Sequence, residues 1–333
     1  MEKFIRSIYT ESILHKAMSR YGFEENNFVD INGFQSFVYE CKKNGRNYVL
    51  RITHSSHRSV DLIQSELHWI HYLVKNGISA CKPILSAKNR FIEIIELETS
   101  YFAVVAFEKA KGKYIPASNW GPSQIQKLGQ ITGKMHSLSK NYNPPHNFVK
   151  RLQWFEVDNY NVDKHLPSCQ VKVKNKLHTL LKKISTFPRD RDSFGLIHAD
   201  LRAENMSIDQ EEITIFDFDG CIYSWFMHDI AITLFTAIRF SYDINDRELF
   251  VRAFVKNFLK GYNIENSISH TWWSEFQDFL LLEEIGEYNL IHRSCDLNNL
   301  DALNRQFMDK RRDNIENNVP YIDLNFCEEF CKN

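Results

Sequence analysis

Two short motifs in the second half of the chain constrain its fold more than any other feature. His198, Asp200 and Asn205 occur with the spacing H-x-D-x-x-x-x-N. Asp217 follows Asn205 within the sequence I-F-D-F-D-G, and residues 206–216 between them have the pattern of a strand, a turn and a strand. Because that hairpin is short, it predicts that the side chains of Asn205 and Asp217 are folded onto one site.

These residue types suit phosphoryl transfer from a nucleotide. That reaction needs a carboxylate to receive the proton of the acceptor hydroxyl, oxygen ligands for Mg²⁺, and a cation beside the phosphates that are not transferred. Mg²⁺ keeps several of its waters, so one carboxylate and one amide oxygen are enough protein ligands. Protein kinases use the spacing H-x-D-x-x-x-x-N, followed by a second Asp, for this chemistry.

Residues 195–206, 215–220 and 225–231 together resemble the aminoglycoside phosphotransferase family. This family includes choline kinases, homoserine kinases of the second type, methylthioribose kinase and antibiotic kinases. The resemblance implies an α+β, protein-kinase-like fold of two lobes: a small antiparallel sheet with one helix, then a larger and mainly helical lobe. It also implies an enzyme that uses Mg²⁺ and ATP (or GTP) to phosphorylate a hydroxyl of a small molecule.

The resemblance assigns a role to each polar residue of the motifs. Asp200 is expected to be the catalytic base. Arg202 lies two positions later, where protein kinases often carry a cation that faces the transferred phosphate, although this position varies in the small-molecule family. Asn205 and Asp217 are expected to be the ligands of Mg²⁺. Three further residues are expected to hold the catalytic loop and the metal ligands in place: His198, Asp219 and Asp229.

The first 107 residues are expected to form the nucleotide-binding lobe. Asn44-Gly45 lies between two apolar runs and predicts a hairpin turn. Residues 59–75 carry apolar side chains at helical spacing and end before Gly77. The other elements predicted for this lobe are a helix over 3–20, extended segments at 27–40 and 47–53, and strands at 91–97 and 101–107.

Residues 113–333 are expected to form the catalytic and acceptor-binding lobe, after a connector at about 105–112. The segment 121–140 opens with Gly-Pro-Ser and continues with apolar residues at helical spacing. The other predicted elements are a helix over 171–187, short strands at 194–198 and 212–217, and helices from about 228 onward.

Arg51, on a predicted strand, and Glu66, on the following helix, resemble the ion pair that serves the nucleotide phosphates in this family. Lysine is the usual cation there. Arginine can also hold phosphate oxygens, although with a different geometry. The alternatives are an exposed strand residue for Arg51 and a solvated helix face for Glu66.

Three more residues are candidates for contacts with the nucleotide. Gly33 and Ser36 belong to a turn that would cover the phosphates, although a plain β-turn explains the Asn-Gly pair equally well. Phe107 belongs to the connector, whose backbone would meet the purine. Its apolar neighbours would equally suit a core.

The acceptor is expected to bind in the helical lobe, where one late helix carries Glu283, Glu287 and Tyr288. Carboxylates and aromatic rings attract a cationic molecule, such as an amino sugar or an amino alcohol. The alternative is that these residues are core aromatics and surface acids.

Three other functions compete with this interpretation. A haloacid-dehalogenase-like phosphatase would use Asp217 as nucleophile and Asp219 as general acid, but its motif normally lies near the N-terminus and its later G-D-x-x-x-D segment is missing. A protein kinase would need a glycine-rich loop and an A-P-E segment, which the sequence lacks. A non-catalytic nucleotide-binding pseudokinase stays open, because Arg51 replaces the usual lysine.

The net charge of −1 gives no reason to expect a nucleic-acid partner. Of the 41 basic residues, 29 precede His198, whereas 25 of the 42 acidic residues lie from His198 onward. This asymmetry suits an anionic ligand on one side and a cationic one on the other, or simply two solvated faces. Seven scattered cysteines, with no secretory signal and no membrane-spanning run, predict a cytoplasmic protein without a membrane partner.

Overall fold

The computed structural model of the protein describes residues 3–241, 244 and 246–330. The chain divides into two compact units, each made of three stretches of sequence. Unit 1 comprises residues 1–111, 143–151 and 214–219. Unit 2 comprises residues 112–142, 152–213 and 220–333.

Unit 1 is built on an antiparallel sheet with the strand order β1-β2-β3-β6-β4, and β5 also pairs with β6. Asn44 and Gly45 connect β2 to β3 with φ angles of 52° and 72°. A tight hairpin turn requires such positive angles, and Asn-Gly adopts them readily. The predicted hairpin is therefore confirmed. The strands are β1 (Phe28–Asp30), β2 (Phe37–Lys43), β3 (Arg46–His54), β4 (Pro83–Ile84), β5 (Glu93–Glu96) and β6 (Tyr101–Glu108).

The helices of unit 1 are α1 (Lys3–Ile8), α2 (Glu11–Tyr21) and α3 (Val60–Lys75). The single helix predicted over 3–20 was wrong, because Thr10 adopts an extended backbone and begins α2 as a separate helix. The prediction for α3 is confirmed. Its first turn is capped by Ser59, whose side chain accepts a hydrogen bond from the backbone N–H of Leu62 at 3.3 Å.

One face of the sheet is covered by α2. The two elements bury a shared apolar core that includes Ile13, Leu14, Ala17 and Met18 of α2 with Leu50, Ile52, Phe102 and Val104 of the sheet. Side chains alternate between the two faces of a strand. Arg51, which lies between Leu50 and Ile52, therefore points to the opposite face of β3.

Unit 2 is mainly helical. Its long helices α4 and α8 approach closely because glycines lie at their contact. A Cβ atom on Gly129 would lie 2.0 Å from the backbone oxygen of Phe258, and one on Gly261 would lie 1.8 Å from that of Gln126. The helices are α4 (Pro122–Ser139), α5 (Val162–His165), α6 (Val171–Ser185), α7 (Phe226–Arg239), α8 (Arg247–Glu265), α9 (Phe276–Ser294), α10 (Ala302–Met308), α11 (Arg311–Glu316) and α12 (Phe326–Phe330).

Four short strands carry the segments that contain the two motifs. β7 (Phe194–Ile197) pairs antiparallel with β10 (Ile222–Trp225), and β8 (Met206–Asp209) pairs with β9 (Glu212–Ile215). β9 is shorter than the predicted strand over 212–217, since Asp217 has a φ of 61° and cannot continue it. Within the described residues, no helix is both long and apolar enough to cross a membrane.

Candidate active site

The loop that follows β7 has a strained backbone held by a buried carboxylate. Ala199 has a φ of 60°, a left-handed conformation that is unfavourable for residues other than glycine. Asp229, in the first turn of α7, accepts hydrogen bonds from the backbone N–H groups of His198 at 3.1 Å and Ala199 at 2.9 Å. Strain of this kind persists where surrounding contacts fix it. Asp229 thereby sets the path of the loop that carries Asp200.

The carboxylate of Asp229 is in turn positioned by His136 of α4. Nε2 of His136 lies 3.1 Å from its carboxylate, and Nδ1 of the same ring lies 3.0 Å from the hydroxyl of Tyr262 on α8. Burial raises the pKa of Asp229, but the hydrogen bond and charge of His136 and the contacts to the loop outweigh burial, so its pKa lies below the ordinary value. The carboxylate is therefore ionised at neutral pH, as its role as a hydrogen-bond acceptor requires.

Asp200 and Asn205 are in direct contact. Nδ2 of Asn205 donates to the backbone oxygen of Asp200 at 2.9 Å and to its carboxylate at 2.7 Å. Oδ1 of Asn205 accepts no hydrogen bond from any residue that the structure describes. The arrangement thus orients one carboxylate and leaves one amide oxygen available for a ligand.

Arg202 lies beside this loop with its guanidinium already engaged. Its Nε donates to Glu204 at 2.9 Å, and its Cζ lies 4.0 Å from the ring centroid of Phe240. Burial lowers the pKa of Arg202, but the negative charges of Asp200 and Glu204 raise it above its ordinary value. Arg202 therefore remains a cation close to Asp200.

In unit 1, Arg51 and Glu66 form a bidentate ion pair. Two guanidinium nitrogens of Arg51 donate to the two carboxylate oxygens of Glu66 at 2.9 and 2.7 Å. The same guanidinium lies 3.9 Å from the carboxylate of Asp217 and 5.3 Å from the ring centroid of Phe107. Burial lowers the pKa of Arg51, yet the charge and hydrogen bonds of Glu66 hold it above the ordinary value. Four predicted residues are thus brought together in unit 1: Arg51, Glu66, Phe107 and Asp217.

The loop between β1 and β2 has a close internal packing that explains its glycine. A Cβ on Gly33 would lie 2.2 Å from the backbone oxygen of Ser36, so a larger residue does not fit. The hydroxyl of Ser36 is buried and lies 2.8 Å from that of Thr53 on β3. The side chain of Ser36 is therefore engaged within the sheet, whereas those of Ile31 and Phe34 in the same loop are exposed.

Asp219 is contacted by two basic side chains, His57 and Arg58, that the motifs did not point to. His57 Nε2 lies 3.0 Å from its carboxylate, and Arg58 Nε donates to it at 3.1 Å. Burial raises the pKa of Asp219, but His57 and the charges of Arg58 and Arg51 lower it well below the ordinary value. One sequence signal was present: two basic residues precede the N-terminus of α3, where cations are unfavourable without an acidic partner.

Among the predicted acceptor residues on α9, Glu283 makes its side-chain contacts through one of its two carboxylate oxygens. Glu283 accepts hydrogen bonds from Tyr160 and from His228 Nε2, both at 2.8 Å, and Nδ1 of that histidine lies 2.7 Å from the hydroxyl of Ser224. Its second carboxylate oxygen has no hydrogen-bond partner in the part of the chain that the structure describes. Glu283 is therefore held by one oxygen and presents the other.

Glu287 lies one helical turn further along and is paired with Arg239 at 3.1 Å. Burial raises the pKa of Glu287 above its ordinary value, against the opposing charges of Arg239 and Arg202. Tyr288 is buried, and its hydroxyl donates to Gln170 at 2.9 Å. Glu287 thus interacts electrostatically with Arg202 and with Glu283, whereas the hydroxyl of Tyr288 is engaged by Gln170.

The sequence profile of a phosphotransferase enzyme family, APH, matches residues 28–265, which include both motifs. The chain belongs to this family. The APH assignment also agrees with a full-length relative, the amicoumacin kinase of Bacillus subtilis (strain 168). That protein is 34% identical over 331 residues, which cover 98% of this chain and 98% of its own length.

Solved structures of other kinases confirm the predicted α+β, protein-kinase-like fold of this APH member. An amicoumacin kinase in complex with AMP-PNP, Ca²⁺ and Ami has a TM-score of 0.93 at 34% identity, covering 98% of this chain and 99% of its own. A microcompartment-associated aminopropanol kinase has a TM-score of 0.74 at 18% identity, covering 92% and 95% respectively, and supports the fold alone. The chain is therefore a small-molecule kinase of the APH family.

Proposed function

We propose that the enzyme transfers the γ-phosphate of ATP to a hydroxyl of a small cationic molecule, with Asp200 as the base. The observation that carries this proposal is the construction of the Asp200 loop. Asn205 orients the carboxylate of Asp200, and Asp229 fixes the strained backbone beside it. A base must be held within hydrogen-bond reach of the proton that it accepts. Arg202 would place its charge near the transferred phosphate.

The proposed metal ligands are Asn205 and Asp217. Their donor atoms fit Mg²⁺, because a hard cation prefers oxygen and needs few protein ligands when it also binds phosphates. The amide oxygen of Asn205 is available, and the side chain of Asp217 is 50% exposed. When bound, Mg²⁺ would neutralise charge on the phosphates. The amicoumacin kinase of known structure was bound to Ca²⁺ and AMP-PNP, which supports a divalent cation and ATP here.

Unit 1 supplies the groups proposed to bind the nucleotide. Arg51, oriented by Glu66, would place its cation beside the phosphates, and the backbone of the Gly33 loop would cover them. Ser36 would support that loop through Thr53, and the Phe107 connector would offer backbone groups to the purine.

A cytoplasmic location is also proposed, because the proposed reaction consumes ATP.

The proposed acceptor carries an amine as well as a hydroxyl. Glu283 and Glu287 would attract the ammonium, and Tyr288 would support their helix through its contact with Gln170. The similarity to an amicoumacin kinase makes amicoumacin the first candidate. Amino alcohols are tested beside it because they combine an amine with a hydroxyl.

The competing phosphatase interpretation fails on Asp219. A general acid must be protonated before it reacts, whereas the cations around Asp219 hold its pKa well below the ordinary value. Membership of the APH family also overturns that alternative. The pseudokinase alternative depends on the replacement of the usual lysine by Arg51. Arg51 keeps the ion pair with the helix carboxylate that the lysine usually makes, so the replacement is no argument against catalysis.

The test is Mg²⁺-dependent phosphorylation of a panel that contains amicoumacin, 1-amino-2-propanol, choline and an aminoglycoside. Asp200→Asn is expected to lower kcat by about 10²–10⁴-fold, the range for losing a general base, with little change in either KM. Asp209→Asn, an exposed carboxylate in the same unit, is the matched control and should keep full activity. No Mg²⁺-dependent turnover with any acceptor would contradict the proposal and favour a non-catalytic binder.

A further inference from the structure

Asp219 is the centre of a set of basic contacts that the proposed chemistry does not use. Its carboxylate meets His57 and Arg58, and its backbone oxygen accepts a hydrogen bond from Nη2 of Arg58 at 3.3 Å. The same backbone oxygen accepts from Nη2 of Arg151. We call His57, Arg58 and Arg151 the Asp219 clamp. One short acidic segment is thus held through both its side chain and its main chain.

Arg151 ties this segment to α3. While one nitrogen meets Asp219, Nη1 donates to the backbone oxygen of Leu62 at 3.0 Å, in the first turn of α3. Arg151 is only 4% exposed. A guanidinium buried to this extent is costly unless its donors are used, and these two carbonyl contacts use two of them.

The rest of segment 143–151 runs along α3 and reinforces the contact. The hydroxyl of Ser65 donates to the backbone oxygen of Val149 at 2.5 Å, and the rings of His68 and Phe148 meet edge-to-face with centroids 5.1 Å apart. Although this segment follows α4 in the sequence, it belongs to unit 1. The segment therefore fixes the helix that carries Glu66.

Two groups of the proposed nucleotide site lie next to these contacts. α3 holds Glu66 against Arg51, and Asp217 has a left-handed backbone two residues before Asp219. A left-handed aspartate is unfavourable unless neighbouring contacts fix it. The clamp supplies such contacts on the C-terminal side of Asp217, and it joins them to the first turn of α3.

We propose that Arg151, with His57 and Arg58, is a positioning residue that holds Asp217 and the Arg51–Glu66 pair in one fixed arrangement by joining Asp219 to α3. None of the three is proposed to touch the substrates. The inference rests on the proposed function for its catalytic consequence. Its structural consequence, a coupled ordering of α3 and segment 214–219, stands independently of turnover.

The first test is amide hydrogen exchange of the ligand-free protein. Arg151→Met keeps most of the buried side-chain volume and removes its donors, and Arg58→Gln is a milder second variant at a partly exposed position. Each variant is expected to speed amide exchange by about tenfold in residues 60–75 and in residues 214–219. A factor of ten corresponds to the loss of about one charge-assisted hydrogen bond. Exchange in the β2–β3 hairpin should not change. Arg90→Gln, at an exposed arginine of unit 1 outside that hairpin, is the matched control.

The second test measures the KM for ATP and the KM for the acceptor separately. Arg151→Met and Arg58→Gln are expected to raise the KM for ATP by about tenfold, on the same reasoning, with the KM for the acceptor within about twofold of wild type. The inference is overturned if exchange changes in only one of the two segments, in neither, or uniformly across unit 1. If the wild type shows no turnover, the proposed function fails. The exchange result still decides whether the Asp219 clamp orders α3 and segment 214–219 together.

Discussion

A single buried carboxylate, Asp229, fixes the backbone on which Asp200 is presented. It accepts hydrogen bonds from the backbone of His198 and Ala199 and lies within hydrogen-bond distance of His136. Each oxygen of Asp229 accepts from one of these backbone N–H groups, so Asp229→Asn places a donor opposite one of them. We expect it to lower the free energy of unfolding at pH 7 by about 3 kcal/mol, the usual cost of breaking a buried charged contact. Denaturant unfolding measures this.

The pH dependence of that loss follows from the lowered pKa of Asp229. The unfolded chain has the ordinary value of about 3.9, so the folded state binds the proton less readily. The stabilisation is fully present above that value and is lost as the pH falls through the lower folded value. The difference between wild type and Asp229→Asn should therefore shrink as the pH is lowered below about 4. A difference that stayed constant down to pH 2.5 would contradict this account.

Arg51 is the position where this chain departs from the usual lysine, and its partner Glu66 is fully buried. Arg51→Met would leave that carboxylate without a counter-charge, at a cost of about 4 kcal/mol in unfolding free energy. Arg51→Lys keeps the charge but cannot make the bidentate contact, so it should cost about 1 kcal/mol. Thermal and denaturant unfolding of the two variants give the comparison. Equal losses would show that charge is not what the site requires.

The pairing of α4 with α8 depends on backbone-to-backbone contact at glycine. A Cβ on Gly261 would lie 1.8 Å from the backbone oxygen of Gln126, so the helices must move apart. Gly261→Ala is expected to lower the free energy of unfolding by about 2–3 kcal/mol, despite alanine's better helix propensity. Gly121→Ala at the start of α4 meets only the flexible side chain of Gln124 and should cost below about 1 kcal/mol. Similar losses in both variants would contradict the packing argument.

The elements that the sequence predicted well are those with local causes. Asn44-Gly45 determines its own turn, and Ser59 caps its own helix. Predictions were less accurate where the backbone conformation of one residue ends an element. The helical spacing of apolar residues does not reveal the extended backbone at Thr10, and the strand pattern does not reveal the left-handed backbone at Asp217.

The same division applies to the candidate site. Spacing pointed to Asp200, Asn205 and Asp217 as candidates, because a chemistry-bearing motif is contiguous in sequence. It did not identify Arg151 or His228, whose contacts join residues far apart in the chain. A lone arginine or histidine has no distinguishing pattern in sequence, so only the folded chain reveals what it orients.

The molecule as a whole should respond to its ligands by mass action. A ligand that binds only the folded state stabilises it by about 2.7 kcal/mol at 100 times its Kd, which raises the Tm of a chain this long by a few degrees. We expect AMP-PNP with Mg²⁺ to raise the Tm more than AMP-PNP with EDTA. The difference would report the contribution of the proposed metal site, and differential scanning fluorimetry measures it without turnover.

Asp217→Asn should remove most of that Mg²⁺-dependent increment, because an amide binds a hard cation more weakly than a carboxylate does. The increment that AMP-PNP produces in EDTA should remain, since Arg51 and the Gly33 loop are intact. Asp209→Asn is the control and should behave as wild type. If Asp217→Asn kept the full Mg²⁺-dependent increment, the metal would have to be held by other residues, and the assignment of Asp217 would be wrong.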